Sequence, residues 1–248
     1  MTGYGTQNGD VLTRDAYERF QQLESLIKTY ASNAATAKKK FNPTPLGLCA
    51  FSLTTFVLSM FNAGATIPVT YSHGAVMGCA LFYGGLIQFI AGLLEYKIGN
   101  DIGALAFCSY GGFWMGLASL SISAFGFLDK TDTVSLNNSL GVLFLAWAIF
   151  SGSMTIATLR THLVLVVLLF TVMVTFILLS ASKFMNADAN LQRAGGAVGI
   201  LAAAIAWYAA FASLLKRGEN SYFELPVYSL APKSIPVVEA KVMNNTPV

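Results

Sequence analysis

From Leu46 to Ala65 the chain runs twenty residues without a charged side chain, and it arrives there from Lys38, Lys39 and Lys40 through Asn42-Pro43-Thr44-Pro45. Three cations mark a boundary that stays in water. Two prolines, which donate no backbone hydrogen bond, suit the first turn of a helix or the residues just before it. A helix of about 20 apolar residues matches the hydrocarbon thickness of a bilayer. A chain with this order of features enters a membrane. Asn42 then falls where an N-cap, or a ligand contact at a pore mouth, belongs.

The pattern repeats. Hydrophobic residues make up 55% of the 248 and charged residues only 11%, about half the charged share of a soluble domain. The apolar excess is clustered, and it predicts six spans at about 46–66, 73–94, 102–127, 140–158, 162–182 and 194–215. The expected fold is all-α, a polytopic membrane protein with six transmembrane helices at 42–217. Before it lies a polar arm, 1–41. Within that arm Tyr17, Phe20, Leu23, Leu26, Ile27 and Tyr30 have the spacing of an amphipathic helix, and a solvated arm is the other reading. The arm has no early apolar core, so the first span is expected to act as an internal insertion signal. The tail, 218–248, holds Pro226, Pro232, Pro236 and Pro247 without periodicity and is expected to be mostly disordered.

Lys38 to Lys40, Lys97, Arg160, Lys216 and Arg217 fall on one side of these spans, and Lys130, Lys183 and Arg193 on the other. The excess of cations beside the N-terminus predicts that both termini are cytoplasmic. Gly74-xxx-Gly78, Gly112-xxx-Gly116 and Gly195-xxx-Gly199 provide small-residue faces for close helix packing.

The same composition excludes several functions. A formal charge of +3 is too small to point to nucleic acid. Cys49, Cys79 and Cys108 sit in apolar runs without metal-ligand spacing, and their odd number argues against a disulfide framework. His73 and His162 fall at opposite ends of the spans, so no triad, carboxylate pair or metal cluster assembles. The expectation is no enzyme, no cofactor and no metal.

What remains are polar groups inside the spans: Ser52, Thr54, Thr55, Ser59 and Asn62 in the first, Tyr83 and Gln88 in the second with Glu95 at its end, Ser109 and Tyr110 in the third, Ser151, Ser153 and Thr155 in the fourth. For a hydroxyl, bonding to its own helix is the plain reading. Gln88 and Glu95 are costly in lipid and should face the bundle interior, a partner or water. Glu95 has Lys97 and Asn100 as candidate partners, and a structural pairing and a role in proton or solute passage stand on equal terms. No charge falls at the middle of a span. A path lined this way favours small solutes that are neutral or readily protonated, such as acetic acid, ammonia or water.

Asn42-Pro43-Thr44-Pro45-Leu46-Gly47-Leu48 resembles the N-P-A/G-P-L-G-L signature of the acetate uptake transporters, the AceTr or YaaH/SatP family. Phe82-Tyr83-Gly84-Gly85-Leu86-Ile87-Gln88, with Gly92-Leu93-Leu94-Glu95-Tyr96-Lys97 and Gly99-Asn100, resembles that family's second-span block. Ser109-Tyr110-Gly111-Gly112-Phe113-Trp114 resembles its third-span motif. The long arm before the first motif is similar to fungal members. The resemblance implies a homo-hexamer in the plasma membrane, each protomer carrying acetate or similar short monocarboxylates with protons. It implies a constriction of Phe51, Tyr110 and Val172; the residues themselves add the expectation of a pathway beginning at a polar vestibule of Asn42, Pro43, Pro45, Leu46 and Gly47, with Gln88 and Glu95 as candidates along it. Two departures stand out: Thr44 replaces a small residue, and Val172 stands where leucine is common, which puts solute size in question. Ammonia or ammonium export, and a nutrient-sensing membrane protein with little transport, are the competing readings.

Overall fold

The structure, a computed structural model, describes residues 7–37, 41–69, 74–126 and 132–231. Lys38 to Lys40, His73, Lys130 and the chain beyond Ala231 lie outside the described residues. Two units divide the chain at Phe41. In the first, Gln7–Ala37 is one helix, α1. Tyr17, Phe20, Leu23, Leu26, Ile27 and Tyr30 are all exposed along it. Two pairs of opposite charge one turn apart, Arg14 with Glu18 at 3.4 Å and Lys28 with Glu24 at 2.7 Å, add modest helical support.

The second unit is a bundle of six helices: α2 (Thr44–Ala63), α3 (Gly74–Lys97), α4 (Asp101–Leu120), α5 (Thr133–Ala157), α6 (Leu163–Phe184) and α7 (Ala189–Leu214). Each is long and apolar enough to cross a membrane. No strand occurs among the described residues. The helices begin where short polar side chains bond their orphan amides. Asn100 Oδ1 accepts from Gly103 N at 3.2 Å, Asp132 Oδ1 from Ser135 N at 2.9 Å, and Asp188 Oδ1 from Leu191 N at 2.9 Å. These caps explain why α5 and α7 start earlier than the apolar runs alone indicate: their first turns are polar. At the other end α2 stops at Gly64, whose φ of +67° closes the helix onto Met60 and Phe61.

The middle of α3, Cys79–Ile87, is wound as a π-helix, a form rare in long stretches. Close packing accompanies it. A β-carbon on Gly84 would meet Thr54 at 2.7 Å, and one on Gly85 would meet Met115 at 2.6 Å. Helices α2 and α4 therefore lie against α3 at distances only glycine permits. Elsewhere α2 packs most extensively on α7, where Gly196 abuts the Asn62–Ala63 backbone and Gly199 abuts Ser59. Helix α6 bridges α5 and α7. Gly112 and Gly116 instead point outward with nothing near them.

After α7 the chain turns back. Tyr208 donates to the Pro226 carbonyl at 2.8 Å, Leu163 N to the Tyr228 carbonyl at 2.9 Å, and Leu230 N to the Thr161 carbonyl at 2.8 Å. Where composition suggests a mostly disordered tail from residue 218, residues 226–230 hold these contacts with α7 and the α5–α6 turn.

Candidate solute pathway

Among the described residues a series of four cavities runs through the bundle, and each shares wall residues with the next. The first, about 420 Å³, is lined by Thr44, Leu48, Asn100, His162, Ser213 and Val227 among others. It shares Leu48, Ala106, Phe107 and Leu165 with a cavity of about 30 Å³. That small cavity meets another of about 40 Å³, and the residues common to both are Phe51, Tyr110 and Val172 alone. Leu58, Asn62, Phe144 and Leu179 then lead into a cavity of about 200 Å³, which also touches Lys183 and Gln192. No charged side chain lines the two middle cavities. Each has room for only one to a few waters.

The three residues between the middle cavities come from three helices, and neighbouring rings hold them. The Phe51 and Tyr110 rings are 5.6 Å apart, and Tyr110 also meets Trp147 at 5.8 Å and Phe150 at 5.6 Å. Phe51, Tyr110 and Val172 are 7%, 3% and 4% exposed, so the narrow point is buried and apolar apart from the Tyr110 hydroxyl. Sequence reading passed over Trp147 and Phe150, because on α5 they are indistinguishable from residues that face lipid.

Two polar patterns flank this point. The Tyr110 hydroxyl lies 2.8 Å from Ser151 Oγ, and Ser151 donates its own proton to the Trp147 carbonyl at 2.8 Å. Tyr110 must then be the donor to Ser151, and only its lone pairs remain for anything else. Gln88 is fully buried on the wall of the 30 Å³ cavity, and neither end of its amide has a partner. On the other side Thr55 and Trp114 line the 40 Å³ cavity, and Thr55 Oγ1 and Trp114 Nε1 are equally unpartnered. Most other hydroxyls bond backbone near at hand: Ser52 to Cys49, Ser153 to Ile149 and Thr155 to Ser151.

Glu95 is fully buried and lines none of the four cavities. Of its candidate partners the structure selects Asn100, whose Nδ2 donates to Oε2 at 2.7 Å; exposed Lys97 takes no part. The second carboxylate oxygen accepts from the Thr44 hydroxyl. Thr44, the departure noted in the first motif, thus ties the start of α2 to the end of α3. Asn42 is similarly engaged: its Nδ2 donates to the Ser213 carbonyl at 3.0 Å and its Oδ1 accepts from Thr44 N at 3.2 Å. Its amide joins α2 to the end of α7, and Thr44 and Leu48 form the wall beside it. Pro43 is buried, Pro45 half-buried and Leu46 exposed, while Gly47 makes room for the Phe107 ring, which a β-carbon would meet at 2.5 Å. The structure therefore gathers Phe51, Gln88, Tyr110 and Val172 on cavity walls. It leaves Asn42, Pro43, Pro45, Leu46, Gly47 and Glu95 behind them.

Comparison with known proteins adds kinship. The model of the GPR1/FUN34/yaaH family matches residues 27–232. Accumulation of dyads protein 2 of Saccharomyces cerevisiae is 46% identical over 193 residues, 76% of this chain and 66% of that protein, just under two thirds of its length. Ammonia transport outward protein 2 of the same yeast is 44% identical over 79% of this chain and 69% of its own. Acetate permease A of Emericella nidulans is 39% identical over 77% of this chain and 67% of its own. Among solved structures, that of the bacterial acetate channel SatP superposes with a TM-score of 0.67 at 33% identity, covering 76% of this chain and all of that one. Six membrane-length helices together with these relatives make the chain an integral membrane protein.

Proposed function

Because the chain belongs to the GPR1/FUN34/yaaH family, we propose that its row of cavities is a pathway for acetate and similarly small monocarboxylates, crossing together with protons. The observation that carries this reading is the wall of Phe51, Tyr110 and Val172 between two cavities of a few waters each. A bare carboxylate stripped of water at such a point loses several kcal/mol or more. Acetic acid does not. Its hydroxyl is a donor, and Tyr110 offers only an acceptor there. Gln88, with a free donor and a free acceptor, suits a carboxylic acid leaving the narrow point. An apolar constriction that excludes ions by dewetting is a general channel device.

We take both termini to be cytoplasmic, on the excess of Lys and Arg at the Asn42 end, so that the 420 Å³ cavity is the inner vestibule. A homo-hexamer in the plasma membrane, each protomer with its own path, completes the proposal.

Reconstituted protein should carry radiolabelled acetate into liposomes, faster when the outside is acidic. Phe51→Ala and Tyr110→Ala should admit longer acids, and Val172→Leu should narrow the range toward acetate. Unchanged rate and selectivity in the alanine variants would count decisively against the constriction. Ammonia export is a second reading, supported by the name of the yeast relative and by an acceptor-only tyrosine that suits an N–H donor equally well. Inhibition of acetate uptake by propionate but not by ammonium separates the two. A nutrient sensor with little transport would leave the liposomes empty.

A further inference from the structure

The cavity of about 200 Å³ lies at the end of the pathway opposite Glu95, and its wall is not wholly apolar. Lys183, in the last turn of α6, reaches it half-buried. Among the described residues the Lys183 ammonium has no hydrogen-bond or ion-pair partner, and none of the residues lining the cavity is acidic. Asn62 lies on the same wall and is 7% exposed. Its Oδ1 accepts from Gln192 Nε2 at 3.1 Å. Gln192 donates also toward the Val69 carbonyl at 3.5 Å. This fixes the Asn62 amide with its oxygen occupied and, among the described residues, its NH2 group without a hydrogen-bond partner. Asn62 also lines the 40 Å³ cavity, so this residue stands where the wide cavity passes into the narrow part.

A cation without a counterion among the described residues, beside a buried amide whose oxygen is already occupied, forms a receptor for a small anion. We propose that Lys183 and Asn62 form a capture site for the carboxylate group of the solute before it reaches the dry neck. The inference rests on the transport reading and adds its first binding step. A carboxylate accepts from an ammonium and an amide at once, and such charge-assisted bonds are stronger than neutral ones. The site complements the constriction rather than contradicting it. At the wide cavity the anion keeps part of its water, and the lysine raises its local concentration. At the neck, where no cation waits, the bare anion is turned back. Gln192 acts through Asn62 as a positioning residue.

The test uses full-length protein in liposomes, with acetate supplied on the Lys183 side. Lys183→Met should raise the half-saturating acetate concentration about fivefold while maximal flux stays within about twofold, and Lys183→Arg should restore the wild-type value. Asn62→Leu should shift half-saturation in the same direction. Should Lys183→Met fail to reconstitute, Lys183→Gln is read identically. Half-saturation unchanged in the uncharged variants, alongside normal wild-type flux, overturns the capture site alone. Wild-type protein that carries no acetate overturns the transport reading, and the site falls with it.

Discussion

Tyr110 donates to Ser151, so it meets anything beside it only as an acceptor. The direction follows from the Ser151 proton, which the Trp147 carbonyl already holds at 2.8 Å. Tyr110→Phe keeps the ring, and with it the narrowing, but removes the acceptor. Acetate flux in liposomes should fall about three- to tenfold, the effect of one neutral hydrogen bond, with rejection of longer acids intact. Ser151→Ala releases the hydroxyl to donate, and the fall in flux toward alkaline pH should then be shallower than in wild type. Identical pH profiles would mean that the direction of this bond does not matter to the solute.

On the proposed pathway, Gln88 sets stability against use. Both amide atoms are buried without partners, and each such group costs about 1–3 kcal/mol. Gln88→Leu fills the same space without that cost. The variant should melt at or above the wild-type temperature, while acetate flux drops about tenfold. A variant that melts lower and transports normally would instead assign Gln88 to packing.

Much of this was legible beforehand, for identifiable reasons. Length and charge locate six spans because a bilayer leaves few alternatives. The helix edges lie outside the apolar runs where polar first turns, capped by Asp132 and Asp188, extend the helices. The π-wound stretch of α3 left no mark on a search for apolar length, since its glycines read equally well as ordinary small-residue packing. Phe51 and Tyr110 entered through resemblance to a family. Trp147 and Phe150, which surround Tyr110, did not, because nothing in an aromatic residue says whether it faces lipid or a path. Lys183 entered the sequence reading only as a charge used to orient the spans. Its place on a cavity wall needs the fold of α2, α6 and α7 together.

Thr44 holds the side chain of Glu95, which the bundle has buried. Its hydroxyl donates to Glu95, whose other oxygen accepts from Asn100 at 2.7 Å. Thr44→Ala removes one of two hydrogen bonds to a fully buried acidic side chain and should cost about 1–3 kcal/mol. Thermal melting of the purified protein should fall by several degrees. Thr44→Ser, which keeps the hydroxyl, should recover most of the loss. An alanine variant as stable as wild type would show that water satisfies Glu95 there.

Asp132 makes the start of α5 sensitive to acid. Hydrogen bonds from Ser135 hold its carboxyl below the usual carboxylate range. A group depressed in the folded state contributes stability above its unfolded value and loses it as pH falls through the folded value. The cap should be intact at neutral pH and fade only in acid below the ordinary aspartate range. Amide exchange at Ser135 should accelerate there in wild type. In Asp132→Asn, which caps without a charge, that acceleration should be absent.

The chain after α7 rests on few bonds, and Tyr208 supplies one from the bundle. Its hydroxyl donates to the Pro226 carbonyl at 2.8 Å, just before Val227 reaches the wall of the 420 Å³ cavity. Two backbone bonds follow, from Leu163 N to Tyr228 and from Leu230 N to Thr161. Tyr228 adopts a φ of +50°, a left-handed conformation that costs a bulky residue about 1–2 kcal/mol and opposes these bonds. A segment balanced this closely opens locally, without unfolding the bundle. Tyr208→Phe should raise hydrogen exchange at the Leu230 amide about fivefold, while amides inside α2 and α4 stay protected. Exchange at Leu230 equal to wild type would show that the backbone bonds alone hold the segment. A parallel rise within α2 or α4 would show that the segment braces the whole bundle.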